Sequence, residues 1–395
     1  MSGLLGGVFS SSVFTGTSRR PRLRVLANGA EIAGVRDAEV LSNNIFAADR
    51  FSIGLALGAD PVWSMASWAA TGFVMIEVQM GFLPDLVPDA PFAGTPPLAW
   101  VSLVQGAADT VDIDPIAGTA RIEGRDLTAV FIDTPIQESF ANRTASEIAA
   151  LLAARHNLAA QVTPTTTPVG RYYDSEHDQI TLNQFATLTT EWALLVWLAQ
   201  QESFDVFVRG NTLYFQPPAQ ADVPEMVLTP GAAGFGAPGF GSANIASLRM
   251  ARTLTLAGDI IVTVKSWSAA DQAAYTETVT SPGTAPFATP QSYVFVRPNL
   301  TPDQALQLAQ RKLAELTQHE RVIEISMPGE LTLTPRSRIA LAGTATAFDQ
   351  IYAIEEIERR LDVEHGFSQR VRAKNSSPLP QATPPGAQIL PAPTT

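Results

Sequence analysis

Apolar and polar residues alternate along much of the first third of the chain. Every second residue is apolar over 51–57 and again over 74–80. Because a period of two places apolar side chains on one face of a strand, both segments are predicted to be half-buried strands. Further strands are predicted over 22–27, 100–104 and 110–113, and the dipeptide Asn28-Gly29 predicts a hairpin turn.

These strands are short and show no helical period, which predicts a β-barrel or sandwich. We assign this first β-barrel domain to residues 21–134, after an N-terminal arm of residues 1–20.

The pattern changes between residues 119 and 162. A strand around Ile122 is predicted to end at Gly124, where the backbone can bend before Arg125 and Asp126 without a Cβ penalty. The sequence Thr144-Ala145-Ser146-Glu147 is a capping box, which predicts the start of a helix. Gly124, Arg125 and Asp126 are therefore predicted to form a structural junction between the β domain and a helical module.

Residues 135–225 are predicted to form this small α+β module. A second helix is expected from Thr189 or Thr190 to Ala199, and its apolar residues surround the axis, which implies burial on more than one side. Two short apolar segments, 205–208 and 212–215, flank Arg209-Gly210-Asn211 and predict a hairpin.

A second β-barrel region with one helix is predicted over residues 226–375. Its strands are expected at 254–256, 260–264, 321–326, 338–341 and 350–357. The sequence Thr301-Pro302-Asp303-Gln304 combines a capping box with proline at the first helical position, and predicts a helix over 302–317. Residues 376–395 contain six prolines and no charged residue, as expected of an extended tail.

Composition excludes several kinds of chemistry. The 395 residues contain no cysteine, so disulfides, cysteine-ligated metals and thiol nucleophiles are excluded. No apolar run reaches the roughly 18 residues of a membrane-spanning helix, and the N-terminal segment has no basic region typical of a secretory signal. The net charge of −12 argues against a general nucleic-acid-binding surface.

The negative charge is unevenly distributed. Residues 51–120 contain no Lys or Arg but seven acids: Asp60, Glu77, Asp85, Asp89, Asp109, Asp112 and Asp114. One interpretation is a solvated acidic face that aids solubility. The other is a surface that must not adhere to a passing polyanion.

No catalytic, metal or cofactor site is predicted. The four histidines, at 156, 177, 319 and 365, stand far apart. The ionisable cluster at 174–178 is typical of a turn, with a weak divalent-cation site as the alternative interpretation. The chain has no Gly-x-Ser-x-Gly motif, and the glycine-rich segment 231–241 does not match a P-loop. Glu123 and Asp126 could suggest a pair of hydrolytic carboxylates, but we expect Arg125 to form a structural ion pair with Asp126.

The order of these motifs resembles the tail hub proteins of long-tailed phages, the late control protein D family, which is related to the base of type VI secretion spikes. The resemblance covers residues 21–375. The segments that carry it are Gly124-Arg125-Asp126-Leu127, Asn142-Arg143-Thr144, Glu147-Ile148, the predicted helices at 192–199 and 305–316, and the strands at 333–341 and 349–357. Many relatives have Pro-Gly where this chain has Pro335-Arg336.

The resemblance implies two tube-like β-barrel domains joined by α+β elements, with three chains forming a ring. It implies a structural, non-enzymatic hub of the tail tip or baseplate that joins the hexameric tail tube to the threefold spike and encloses the DNA exit channel. The implied partners are further copies of the chain, the tail tube or distal tail protein, the central spike, the tape-measure protein and baseplate wedge proteins. DNA would only pass through, in a virion assembled in the bacterial cytoplasm.

Under this interpretation, part of the acidic stretch is expected to face the channel, because a pore crossed by DNA should repel phosphates weakly. Two alternatives compete with the hub. One is a tail-associated peptidoglycan or polysaccharide hydrolase, which needs two converging carboxylates. The other is a receptor-binding tail protein, which would usually show long repetitive β segments that this chain lacks.

Overall fold

The chain folds into two compact units. The computed structural model describes residues 20–83, 99–136, 140, 143–166, 190–202, 204–218, 223–230, 244–254, 260–268, 272–281, 290–297 and 300–375. The first unit comprises the residues up to 219 together with 329–332 and 358–368, and the second comprises the remainder.

The first unit begins with an antiparallel sheet. Its strands are β1 (Arg20–Ala27), β2 (Ala30–Glu31), β3 (Val35–Asn43), β4 (Arg50–Ala56), β5 (Met75–Leu83), β6 (Val101–Asp114) and β7 (Thr119–Asp126), with helix α1 (Met65–Ala70) between β4 and β5. The strand order is β3-β4-β7-β6-β5-β1-β2. The alternating residues of 51–57 and 74–80 face one core, in which Ile53, Ile76 and Ile122 are fully buried.

The predicted strands here are largely confirmed, with two corrections. Asn28 and Gly29 have φ values of 51° and 84° and form the expected turn. The segments 100–104 and 110–113 are parts of one continuous strand, β6. Helix α1 was not predicted; Ser64 caps it by accepting a hydrogen bond from the Ser67 N–H at 3.2 Å.

A mixed α/β region completes the first unit. Its elements are α2 (Thr128–Ile132), α3 (Ala145–Arg155), β8 (Ala159–Val162), α4 (Glu191–Glu202), β9 (Asp205–Arg209) and β10 (Thr212–Gln216). The predicted capping box of α3 and the predicted hairpin are confirmed, and β8 adds in parallel to β10. The buried residues of helix α4 lie within one half of its circumference, and Val196 and Trp197 outside that half are partly buried against the same core, so the predicted burial on more than one side is only partial.

The second unit contains two sheets. Its elements are β11 (Met226–Leu228), β12 (Ser247–Arg252), β13 (Ile260–Ser268), β14 (Ala273–Thr280), β15 (Gln291–Val296), α5 (Pro302–Thr317), β16 (Arg321–Pro328), β17 (Arg338–Leu341), β18 (Ile351–Asp362) and β19 (Gly366–Asn375), of which β18 and β19 continue into the 358–368 segment. One sheet has the order β12-β16-β19-β18-β17-β11, and the other has the order β14-β13-β15.

Helix α5 packs on the smaller sheet. Its capping box and its bounds are those that the sequence predicts, since Thr301 accepts from the Gln304 N–H and the Gln304 side chain accepts from the Thr301 N–H. Ala305 and Ala309 are fully buried against Val262 and Val264 of β13. Leu254 lies outside any strand, contrary to the strand predicted over 254–256, whose other residues lie outside the described part.

The β-rich α+β class is confirmed by this architecture. No helix among the described residues is long and apolar enough to cross a membrane.

Candidate structural junction

Gly124 lies inside β7, which continues to Asp126, so the predicted bend at Gly124 is wrong. A Cβ at this position would lie 2.2 Å from the Ala107 carbonyl oxygen and 2.4 Å from Cζ of Phe51. Gly106 on the neighbouring strand is similarly confined, since its Cβ would lie 1.9 Å from the Arg125 carbonyl oxygen. The glycine is therefore required for the close approach of β6 to β7, not for a turn.

Arg125 holds three parts of the fold together. Its Nε and Nη2 donate to the Asp109 carboxylate at 2.7 and 3.0 Å, while Nη1 and Nη2 donate to the Asp133 carboxylate at 3.1 and 2.8 Å. Asp109 belongs to β6 and Asp133 follows the last residue of α2. The guanidinium thus joins β6, β7 and α2 through two bidentate contacts.

The hydrogen bonds of this cluster favour the charged forms of Arg125 and Asp133. The hydrogen bonds to Asp109, and then those to Asp133, raise the pKa of Arg125 above its usual value. The hydrogen bonds from Arg125 lower the pKa of Asp133. Arg125 and Asp133 therefore remain charged over the whole physiological pH range.

A β-bulge positions Asp109. Ala108 pairs with Gly124 and Thr110 pairs with Glu123, so Asp109 has no partner residue of its own on β7. A bulge inserts one extra residue and redirects its side chain. Here it directs Asp109 to the guanidinium on the adjacent strand.

The expected ion pair between Arg125 and Asp126 is not formed. Neighbouring residues of a strand point to opposite faces, and Asp126 is buried on the core side of β7. Its carboxylate accepts from the Thr128 N–H at 3.2 Å and the Thr128 Oγ1 hydroxyl at 2.9 Å, in the first turn of α2. Asp126 thus stabilises the transition from β7 to α2 from the core side of the sheet.

Burial, followed by the negative charge of Asp49, raises the pKa of Asp126 well above that of an ordinary carboxyl. Asp49 accepts from the Asn43 N–H at 2.9 Å, and its carbonyl oxygen accepts from the Asp126 N–H at 3.0 Å. Arg359 contributes a buried cation near Asp49, and burial lowers its pKa to about 10. Its Nε donates to the Glu330 carbonyl oxygen at 3.0 Å.

The described acids of the 51–120 stretch lie in different local settings. Asp60 accepts from the N–H groups of Ala33, Val62 and Trp63, and these bonds lower its pKa. Asp114 accepts from two N–H groups of the β6–β7 turn, and Glu77 accepts from Gln79. Asp85 and Asp89 lie outside the described residues. Several of these acids therefore have local structural roles.

The face of the sheet that carries Asp109 and Asp112 is not purely acidic. Asp112 stands opposite Arg121 in the β6–β7 register. Arg121 contacts Asp37 on β3 at 3.1 Å, and donates to the Ser52 hydroxyl at 2.8 Å. Basic residues of β7 therefore offset part of the charge that the sequence concentrates in residues 51–120.

A buried ionic group in the α/β region was not predicted. Glu191 is fully buried at the start of α4, and it contacts Arg155 Nη1 at 2.5 Å and His156 Nε2 at 2.6 Å. The ring of His156 packs edge-on to Phe131, and Trp192 Nε1 donates to the Phe46 carbonyl oxygen at 2.7 Å. Glu191 lies at least 35 residues from both Arg155 and His156 in the sequence. Only its place within an apolar helix could have indicated that it is buried with a partner.

Other candidate chemistry finds no site in the described residues. None of their His, Asp and Glu residues form a group of three that could hold a metal ion. The 174–178 cluster and the 231–241 segment lie outside the described part of the chain. Glu123 is exposed on the outer side of β7 and Asp126 is buried on the inner side, so these two carboxylates do not converge.

The fold is that of phage tail proteins. The tail protein from Neisseria meningitidis MC58 aligns with 90% of this chain and 97% of its own, with a TM-score of 0.62 and 14% identity. The 43 kDa tail protein of prophage MuSo2 from Shewanella oneidensis aligns over 91% and 99%, with a TM-score of 0.60 and 14% identity. A prophage tail protein from Listeria monocytogenes EGD-e aligns over 90% and 94%, with a TM-score of 0.51 and 10% identity.

No protein-family model and no curated protein sequence matches the chain. The resemblance to phage tail proteins that the sequence indicates is nevertheless confirmed at the level of the fold, over nine-tenths of the chain.

Proposed function

We propose that this chain is the structural hub of a phage tail tip or baseplate. Three copies would form a ring of tube-like barrels that joins the tail tube or distal tail protein to the central spike. The tape-measure protein and the baseplate wedge proteins would contact the ring. DNA would leave through its channel without specific binding, and the assembled hub would be part of the virion.

One observation carries this proposal: the fold of tail proteins extends over nine-tenths of the chain, and covers nearly the whole length of the Neisseria and Shewanella proteins. A fold alone does not define a function, but this match leaves little of the chain for a separate catalytic domain. The junction supports the same role, because its ionic contacts join structural elements.

Localisation tests the hub directly. Partly assembled tails would be labelled with a gold-conjugated antibody against this chain and viewed by negative stain. We expect label at the tip end of the tube. Label along the tube, or at the head-proximal end, would contradict the proposal. A zymogram on cell-wall substrate tests the hydrolase, since a cleared band would support that alternative.

We propose further that Asp112 and Asp114, both exposed on β6, face the DNA channel. Exposed carboxylates repel phosphates over about a Debye length, near 8 Å at physiological salt. Particles that carry Asp112→Lys and Asp114→Lys should then release DNA more slowly, as timed by a DNA-binding dye after addition of host receptor. Glu364→Lys, in the exposed β18–β19 turn, is the matched control. Equal release rates in both variants would exclude Asp112 and Asp114 from the channel wall.

A further inference from the structure

Strand β15 is an edge strand with no protecting charge of its own and no covering strand in the part of the chain that the structure describes. Among the described strands it pairs only with β13, in parallel. Its six residues, Gln-Ser-Tyr-Val-Phe-Val, carry no charge and favour extended structure. Val294 and Val296 are 55% and 73% exposed, and Trp267 on the same side of β13 is 56% exposed.

Helix α5 covers one face of this sheet. The helix packs mainly on β13 and β14, where Ile260, Val262 and Val264 are buried beneath it. On the opposite side of the sheet, Val294, Val296 and Trp267 are exposed around Lys265, which pairs with Val296, and β15 has no second partner among the described strands. Such a combination favours the addition of another strand.

The edge strands of the other sheets have ordinary protection. Strands β2, β8 and β11 are only two, four and three residues long. Strand β12 carries exposed Arg249 and Arg252, and β9 begins with Asp205 and ends with Arg209. Charge and shortness are the usual means by which proteins prevent edge-to-edge pairing. The contrast indicates that the β15 edge is covered in the assembled protein.

The strand that best matches this edge is β14, the opposite edge of the same sheet. It is eight residues long, pairs only with β13 among the described strands, and exposes a row of small residues and threonines on the side that carries Val294 and Val296. Because β14 runs antiparallel to β13 and β15 runs parallel to it, a second copy in the same orientation would present β14 antiparallel to β15.

The charges on the helix side of the sheet also favour β14 of a second copy as the partner of β15. On the helix side of the sheet, Arg297 follows β15 and lies near Arg311 of α5, whose Nη1 is buried without a hydrogen-bond partner among the described residues. Glu277 is the one acid of β14, and it also lies on the helix side. Pairing of β15 with β14 of a second copy would bring that carboxylate towards the two guanidinium groups.

We propose that β15 of one copy pairs antiparallel with β14 of a second copy, and that Val294 and Val296 pack beside the threonines of that strand in this head-to-tail contact. The contact is heterologous, because each copy pairs through β15 with one neighbour and through β14 with another. If successive copies are related by a suitable rotation, they close into a ring. The inference rests on the proposed hub, since it takes a second copy of this chain as the neighbour.

Self-association of the full chain tests the contact by sedimentation equilibrium. Val296→Lys places a charge on the β15 edge, and Thr278→Lys does so on the β14 edge. Each should raise the dissociation constant by at least about tenfold. Val363→Lys is the matched control, because Val363 is 89% exposed in the β18–β19 turn and should leave association unchanged. Circular dichroism checks that each variant is folded.

Mixing the two variants separates head-to-tail pairing from symmetric pairing. The Val296→Lys copy keeps an intact β14 and the Thr278→Lys copy keeps an intact β15, so the mixture should form dimers that neither variant forms alone. A wild-type monomer at all concentrations, unchanged association of Val296→Lys, or failure of the mixture to dimerise would each overturn the proposal. The hub itself fails separately, if antibody does not label the tail tip.

Discussion

The Arg125 guanidinium and the Asp109 carboxylate face each other across two strands, with Nε 2.7 Å from Oδ2 and Nη2 3.0 Å from Oδ1. The pair joins the bulge of β6 to the end of β7, and the same guanidinium reaches Asp133 beyond α2. Lysine could reach only one of these carboxylates at a time, because it lacks the planar fork of arginine.

Arg125→Lys should therefore lower the free energy of unfolding by about 1 kcal/mol, and Arg125→Ala by somewhat more. Urea denaturation followed by tryptophan fluorescence measures both. Arg121→Lys is the matched control, since Arg121 is half exposed and should lose less. Equal losses at both arginines would show that the Arg125 contacts add no more than an ordinary surface pair.

Gly124→Ala should destabilise the fold by at least about 2 kcal/mol, because the new methyl group would overlap the Ala107 carbonyl oxygen and the Phe51 ring. Gly72→Ala provides the comparison, as its Cβ would meet nothing within 4 Å and its φ is not left-handed. Thermal denaturation of both variants measures the difference. A Gly124→Ala protein as stable as Gly72→Ala would mean that β6 and β7 can separate at little cost.

Asp126→Asn should stabilise the protein at neutral pH. The folded-state pKa of Asp126 is raised above the ordinary value of 3.8, so the folded state binds the proton more tightly, and stability falls as pH rises from the unfolded pKa to the folded pKa. An amide carries no such penalty and still offers an oxygen to the Thr128 N–H. The advantage of the variant should grow above about pH 4, by up to about 1.4 kcal/mol per pH unit within that window.

Urea midpoints between pH 3 and pH 8 measure this effect, with Asp112→Asn as the exposed control on β6. A constant difference between Asp126→Asn and the wild-type protein over the whole range would contradict the raised pKa.

Glu355 in the second unit should have the opposite pH dependence. Burial alone would raise its pKa, but the hydrogen bond from His319 and the charges of Lys374 and Arg372 outweigh burial and lower the pKa below 4.5. The contribution of ionised Glu355 to the free energy of unfolding is fully present above the pKa that Glu355 has in the unfolded chain. It is lost as the pH falls through the lower pKa of the folded protein. Glu355→Gln should thus be less stable than wild type at pH 7, and the gap should close towards pH 3. If the gap persists at pH 3, the loss comes from packing and not from charge.

Local signals in the sequence explain which elements could be predicted. The start of α5 follows from Thr301, Pro302 and Gln304, because these residues cap the free backbone N–H groups of the first helical turn. The first hairpin follows from Asn28-Gly29, because these two residues adopt the positive φ values that the turn requires. The single strand β6 could not be recognised, since the bulge at Asp109 interrupts its alternation and resembles a strand end.

Partners distant in sequence could not be predicted. The sequence predicts a junction at Gly124-Arg125-Asp126, yet nothing in this triplet indicates that Arg125 pairs with Asp109 and Asp133, or that Asp126 points into the core. Glu191 with Arg155 and His156 is a similar case, because tertiary packing alone brings the three together.

The bulge at Asp109 also shifts the alternation of core-facing and outward side chains along β6 by one residue. Before it, Val104 and Ala108 face the core, and after it Val111 and Ile113 do; the two pairs are an odd number of positions apart. If residue 109 were kept and the strand paired without the bulge, strict alternation would exchange the two faces beyond it and point Asp112 and Asp114 towards the core. The outward position of these acids thus depends on the bulge, which lies upstream of the acids themselves.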